Sequence, residues 1–253
     1  MLDQLLSLNV FAVGLVFTRV GTVLMMLPGI SAAYVSVRIR LLLALAVAAL
    51  LTPVVADTLP GPPNSPADLV VLIGGEVLVG AFLGTIVRIV LAALQIAGTY
   101  TSYFVALANA MVHDAIADQQ SSTIAGFFGT VGLILVFVTD LHHLMLRALA
   151  ESYLLFTPGD PLPAGDFAQM VARQVADSVI IGLQMASPFL VVGLTYYIGL
   201  GILGRLMPQL PVFFVGLPIQ ISLQIWVMVL AFSGIMMVFL SYFADVVGPF
   251  AGG

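Results

Sequence analysis

Apolar residues fall into six long runs, at about 8–28, 41–56, 69–108, 124–149, 168–204 and 212–243, each closed by a short polar break. Their length and their Leu, Ala and Gly content predict helices, because the strands of a membrane barrel are short and alternate strictly. A helix that crosses a bilayer needs about 20 residues, so the second run is short for a crossing and the third and fifth are long. Not every run is expected to be a simple span.

The breaks differ in kind. "TLPGPPNSPAD" (58–68) reads as a stiff, proline-rich polar hairpin, and "FTPGDPLPAGD" (156–166) as a second such loop, with Asp166 placed to cap the helix after it. "NAMVHDAIADQQSST" (109–123) lacks proline and glycine and is the longest polar stretch in the chain. "RLMPQLPVFFVGLP" (205–218) is an elbow: Pro208 and Pro211 fix φ and lack an amide donor, so they stop a helix, while Arg205 and Gln209 supply polar groups near the turn.

Composition sharpens the picture. Of 253 residues 61% are apolar and 8% charged, against roughly 25% charged in an ordinary soluble domain. Seven arginines and twelve acids cannot make a polar skin for a chain this size, so lipid or other apolar protein must cover much of it. The expectation is an all-α, polytopic membrane protein of about six apolar helical segments. Lysine is absent and the net charge of −5 is thinly spread, which speaks against nucleic acid, a ligand that needs clustered cations. Without cysteine there is no disulfide, thiol nucleophile or cysteine metal site. The opening "MLDQLLSLNV" has an acid and no basic region and reads as the first membrane helix, not as a cleaved signal. If all six runs span, Arg38, Arg40 and Arg205 lie on one side and Arg147 on the other, a weak orientation signal.

Small residues recur at helical spacing: Gly80 with Gly84, Gly126 with Gly129 and Gly132, and Gly199 with Gly201 and Gly204. Such residues let backbones approach closely. The last set spells G-x-G-x-x-G, but it follows no strand, so it reads as a packing face and not as a phosphate cradle.

Arg19, Glu76 and Arg88 are charges within apolar runs. Glu76 and Arg88 stand about 18 Å apart along one helix and cannot pair with each other. An unpaired charge at mid-bilayer costs at least about 2.5 kcal/mol; these residues are functional candidates, weighed against simple pairing with a neighbouring helix or partner subunit. In "TDLHHLMLR" (139–147), Asp140 and His143 share a helix face while His142 is expected to point elsewhere. Two donors on one face fall short of the three or four that a metal needs, so a polar helix end is expected there and no metal. No G-x-S-x-G or H-E-x-x-H occurs, and no enzyme chemistry is expected.

The segment 106–122 reads first as an ordinary solvated connection, with a loop folded into a pore as a plug the functional alternative. Met111, Val112 and Ile116 are expected to pack a dry constriction, and Asn109, Asp114 and Gln119 to hold the segment by hydrogen bonds, with His113 among them.

Arg19-x-Gly21 with Pro28-Gly29, Arg38-x-Arg40, Gln95-x-x-Gly98, Asp114 after the polar loop, "DLHHLML" and "ESYLLFTP" occur in an order and spacing that resembles the FliR family. These are the export-gate components of the bacterial flagellar type III secretion apparatus, with SctT as the virulence counterpart. The resemblance runs from about residue 10 to 245. The chain departs from the usual family pattern at Pro211, at Asp114-Ala115 and at Leu141-His142.

What the resemblance implies is a FliP-like helical part, 1–167, followed by a FliQ-like hairpin, 168–253, whose proline-interrupted first helix, elbow and return helix are clearest over 180–224. It implies FliP-like and FliQ-like partners, FlhB-like and FlhA-like gate proteins beside them, and passage of unfolded flagellar subunits. It implies residence at the bacterial inner membrane in the flagellar basal body, the assembly lying largely above the membrane plane, and no cofactor. The rival reading is a small-solute or ion transporter, which would show inverted repeats, broken helices and a charged relay.

Overall fold

The computed structural model describes residues 2–32, 34–105, 111–114, 119–209 and 212–252. Among them the chain forms seven α-helices: α1 (Leu2–Met26), α2 (Val37–Leu51), α3 (Pro66–Phe104), α4 (Thr123–Val138), α5 (Leu141–Leu155), α6 (Ala164–Leu206) and α7 (Val212–Val247). Two short strands, β1 (Met111–Asp114) and β2 (Gln119–Ser122), stand between α3 and α4. The architecture is all-helical apart from this hairpin, and it is that of a polytopic membrane protein.

The fourth apolar run breaks where the hydropathy pattern alone runs on. It forms two helices, α4 and α5, bent by 73° from each other. Asp140 sits at the break with φ 61°, the left-handed region, which a short polar side chain tolerates better than a bulky one. α3, α6 and the last helix are each long and apolar enough to cross a membrane. With 39 and 43 residues, α3 and α6 extend about 58 and 64 Å, roughly twice a hydrocarbon core of about 30 Å. The unevenness of the apolar runs is therefore real: these helices do more than cross lipid.

Local chemistry sets the helix ends. Ser65 precedes α3, accepting from the Asp68 amide at 3.1 Å and donating to the Asp68 carboxylate at 2.7 Å, with Pro66 at the first helical position, where its missing N–H costs nothing. Ser122 does the same for α4, accepting from the Ala125 amide at 3.2 Å. Asp166 does not cap α6. It lies within the first turn, where a negative charge favours the helix dipole without closing an amide. Between α1 and α2 the Arg40 guanidinium holds the connecting turn by donating to the Val35 carbonyl at 2.7 Å and the Ala32 carbonyl at 3.1 Å.

The chain divides into two compact units, one of Met1–Val90, Val136–Val175 and Phe243–Gly253, the other of Leu91–Leu135 and Ala176–Tyr242. Long helices contribute to both, so these units do not follow the order of the sequence. In the first, the buried Val16, Val20 and Val23 of α1 lie in one core with Val79, Phe82 and Ile86 of α3. Phe82 stacks on Phe167 at 4.2 Å and meets Phe156 and Phe250 edge-on at 6.2 and 6.0 Å. α1 approaches α3 because Gly80 has no side chain: a Cβ there would lie 2.8 Å from the Arg19 carbonyl oxygen and 2.9 Å from Thr22 Cβ.

In the second unit glycines again set the contacts. Gly98 of α3 lies against the Ala125 backbone at the start of α4, a Cβ there falling 3.0 Å from the Ile124 carbonyl oxygen. At Gly182 of α6 a Cβ would lie 2.7 Å from Ile96 Cγ2 and 3.0 Å from the Ala93 carbonyl oxygen. The expected small-residue face at Gly80 and Gly84 packs as anticipated, and of the 126–132 set Gly132 packs against Leu94 and Phe239 while no described atom lies within 4 Å of a Cβ on Gly129. The 199–204 set does not: nothing among the described atoms comes within 4 Å of a Cβ on Gly199, Gly201 or Gly204. It packs against none of the described residues, because the return helix meets α6 on Leu200 and Tyr196.

A side chain at Gly80 meets rigid backbone, so Gly80→Val should destabilise the protein by about 1–3 kcal/mol. Gly14→Ala, where nothing lies within 4 Å, should be neutral or gain up to about 1 kcal/mol of helix propensity. Thermal unfolding of both variants in detergent checks the contrast; equal melting temperatures would show that the α1–α3 contact is not tight.

Candidate functional site

Arg19 is fully buried in the first unit, and all five of its N–H groups are used. Nε donates to Glu76 Oε2 and Nη2 to Glu76 Oε1, each at 2.8 Å. Nη1 donates to the Ser152 carbonyl at 2.9 Å and to Ser152 Oγ at 3.2 Å, and Nη2 also reaches the Phe156 carbonyl at 2.8 Å. The guanidinium lies 4.0 Å from the centre of the Tyr153 ring, whose hydroxyl donates to the Val16 carbonyl at 3.3 Å. Three forces act at one point: a bidentate ion pair, the negative end of the α5 dipole, and an aromatic face.

Arg19 and Glu76 therefore need no second subunit for neutralisation, being paired from neighbouring helices of one unit. Arg88 differs: it is exposed on α3 and has no hydrogen-bond or ionic partner among the described residues.

The elbow residues stand at a real turn. α6 ends at Leu206, Arg205 is exposed in its last turn, and Pro208 and Gln209 are exposed in the connection; Pro211 lies outside the described residues. The turn is tighter than the 205–218 stretch, since α7 already runs from Val212 and carries Pro218 inside it. α6 and α7 return alongside each other through buried and half-buried polar groups. Tyr196 donates its hydroxyl proton to the Gly216 carbonyl at 2.6 Å. The Gln224 amide donates to the Phe189 carbonyl at 3.2 Å. Gln220, 1% exposed, reaches the Tyr197 hydroxyl at 2.8 Å and the Phe104 carbonyl at 2.7 Å. Near the elbow an open apolar groove of about 450 Å³ runs between the two helices, lined by Tyr196, Gly199, Leu203, Val212 and Val215 among others.

The Phe104 carbonyl is the last of α3, and immediately after it comes the polar segment. Of the plug candidates, Met111, Val112, His113 and Asp114 form β1 and Gln119 opens β2, in antiparallel register Met111↔Ser122, Val112↔Ser121, His113↔Gln120 and Asp114↔Gln119. Asn109 and Ile116 lie outside the described residues. The two strands thus form a hairpin between two fixed helix ends: Gln220 holds the Phe104 carbonyl at the end of α3, and Ser122 caps α4.

At the α4–α5 break the expectation for His142 fails. Its ring stands 4.0 Å from that of His143 and stacks on Phe137 at 5.1 Å, because the left-handed Asp140 turns the first helical residues back over α4. Asp140, His142 and His143 place one donor atom each within 4.8 Å of one another.

The family model for bacterial export proteins, family 1, matches residues 10–246. The flagellar biosynthetic protein FliR of Caulobacter vibrioides is 34% identical over 96% of this chain and 97% of its own. The FliR of Bacillus subtilis is 32% identical over 74% of each, and the Yop proteins translocation protein T of Yersinia pestis 28% identical over 60% of this chain and 59% of its own. The chain belongs to the FliR family of bacterial export proteins. Two stretches that carried the resemblance meet in one site: Arg19 of the opening motif is held by Ser152 and Phe156 of "ESYLLFTP". Arg19 and Glu76 stand out in the sequence as charges within apolar runs, whereas the Ser152 and Phe156 carbonyls do not, since main-chain acceptors leave no mark in residue type.

Removing one partner of the buried pair leaves the other charge uncompensated. Glu76→Leu or Arg19→Met should each cost about 3–5 kcal/mol, and the double variant less than either single one, since a neutral apolar pair carries no desolvation penalty. A double-mutant cycle on thermal unfolding and membrane abundance measures this; a double variant as damaged as the sum of the singles would show that the two side chains act independently.

Proposed function

We propose that the chain is a core component of the export gate of a bacterial flagellar type III export apparatus. With FliP-like and FliQ-like subunits it forms the pore through which unfolded flagellar subunits leave the cell, at the inner membrane within the flagellar basal body. FlhB-like and FlhA-like proteins complete the gate. The flagellar assignment is favoured over a virulence one by the match to FliR, which is higher and covers more of the chain than the match to the Yersinia translocation protein. On this reading 1–167 is the FliP-like part and 168–253 the FliQ-like hairpin. No covalent chemistry is assigned to the chain.

One observation carries the reading: a polar hairpin stands between two strongly apolar helices whose ends are fixed, α3 by the bond from Gln220 to the Phe104 carbonyl and α4 by the Ser122 cap. A pore wide enough for a polypeptide must hold back ions at rest, because each charge that crosses a potential of 100 mV releases about 2.3 kcal/mol. A hairpin of few strand pairs between fixed helices can close such a pore and yield locally to a substrate, without unfolding the helices that carry it. Asn109, Met111, Val112, His113, Asp114, Ile116 and Gln119 are its proposed plugging residues. The transporter reading gains little: α6 runs unbroken through Pro188, and among the described residues the break at 139–140 has no counterpart.

Deleting 110–114 should raise the conductance of membranes that contain the assembled complex to ions and small solutes. A deletion complex that assembles normally without added leak would make the segment a connector only. At the elbow, Pro208→Ala with Pro211→Ala should let the helix continue, since interior proline disfavours a helix by about 3 kcal/mol relative to alanine. Recovery of FliQ-like subunits with the tagged chain should fall, together with swimming motility; unchanged recovery and motility would refute an assembly role for the bend.

A further inference from the structure

We propose that Asp140, His142 and His143 form a binding site for a divalent transition cation, zinc being the occupant their chemistry favours, that staples the bend between α4 and α5. Two imidazoles and one carboxylate are the donor set of many three-ligand zinc sites, with water taking the remaining position. Their donor atoms lie within 4.8 Å of one another. Bonds of about 2.1 Å in a tetrahedral site put donors about 3.4 Å apart, so closure around an ion takes a movement of roughly one ångström.

The three side chains divide that task. His142 is the fixed member, half-buried and stacked on Phe137. Its Nδ1 is buried and has no hydrogen-bond partner among the described residues; a buried polar atom left so is costly, and an ion is one of the few things that satisfies it. His143 and Asp140 are the adjustable members, with 68% and 77% of their side chains exposed. They already face each other, Nδ1 to Oδ1, at 3.5 Å, too long for a good hydrogen bond and free to shorten onto a shared cation.

Asp140 supports the same reading from its backbone. At the cap position of α5 an aspartate ordinarily spends its carboxylate on a helix amide, yet this one makes no such bond. Its left-handed conformation instead sets the carboxylate beside the two rings. The surroundings are polar enough for a cation to arrive from water: Arg147 and Glu151 continue along α5, their side chains 3.9 Å apart. A cation held by these residues would fix the 73° bend, which proline does not provide here.

The test uses the full chain, co-expressed with its partners, purified in detergent without a polyhistidine tag and stripped with chelator. Titration with Co2+ should give ligand-field absorption bands that saturate at one ion per chain, and Zn2+ should displace them. His142→Ala, His143→Ala and Asp140→Asn should each weaken binding about tenfold or more, at least the loss that follows when only an outer-shell partner is removed. If the half-buried His142 variant does not fold, the two exposed variants still decide the matter. No saturable binding, or one equivalent that survives His143→Ala and Asp140→Asn alike, would overturn the site and leave an ordinary surface ion pair.

Discussion

A guanidinium inside an apolar core must find acceptors for five N–H groups and a counter-charge, or the helix that carries it cannot stay there. Arg19 meets that requirement with Glu76, Ser152 and Phe156, and much of the first unit's geometry follows. α3 must come close enough for a bidentate pair, which Gly80 permits. α5 must end where its last carbonyls face the arginine. The Tyr153 ring then closes the remaining side. Because taking two charges out of water costs several kcal/mol each, only this complete set of contacts makes the arrangement stable, and its value lies in the single relation of α1, α3 and α5 that it allows.

The second unit solves a different problem with milder means. Its close approaches are made by glycine, at Gly98, Gly182 and Gly193, and its buried polar contacts are neutral amides and hydroxyls. Glutamine suits the hairpin because one amide group can serve two acceptors, as Gln220 does for Tyr197 and Phe104. A neutral tie loosens at lower cost than an ion pair. That difference fits the proposed division of labour, in which α1, α3 and α5 are locked in one arrangement while the polar hairpin after α3 has to yield during export.

Specific groups separate what was legible from what was not. The runs of Leu, Val and Ala marked the helices, and Pro208 marked the turn after Leu206, because proline acts on its own backbone. Ser65 and Ser122 are likewise readable as caps, since the partner amide is three residues away. The break at Asp140 was only half readable: a polar helix end was expected in "TDLHHLMLR", but nothing in it stops a helix as proline would or marks the left-handed turn. The 199–204 glycines show the converse, a pattern with the right spacing that packs against none of the described residues.

By itself the sequence determined that the chain is helical and belongs in a membrane, where proline turns its helices, and which charges had to be explained. Those properties come from composition and from interactions within a few residues, which every stretch of the chain carries with it. Only the tertiary structure decided that Arg19 meets Glu76 across 57 positions and Ser152 across 133, that Gln220 holds the end of α3, and that His142 joins Asp140 and His143. Contacts at that separation depend on the direction in which each helix leaves its turn, and that direction is set by packing, which no local pattern records.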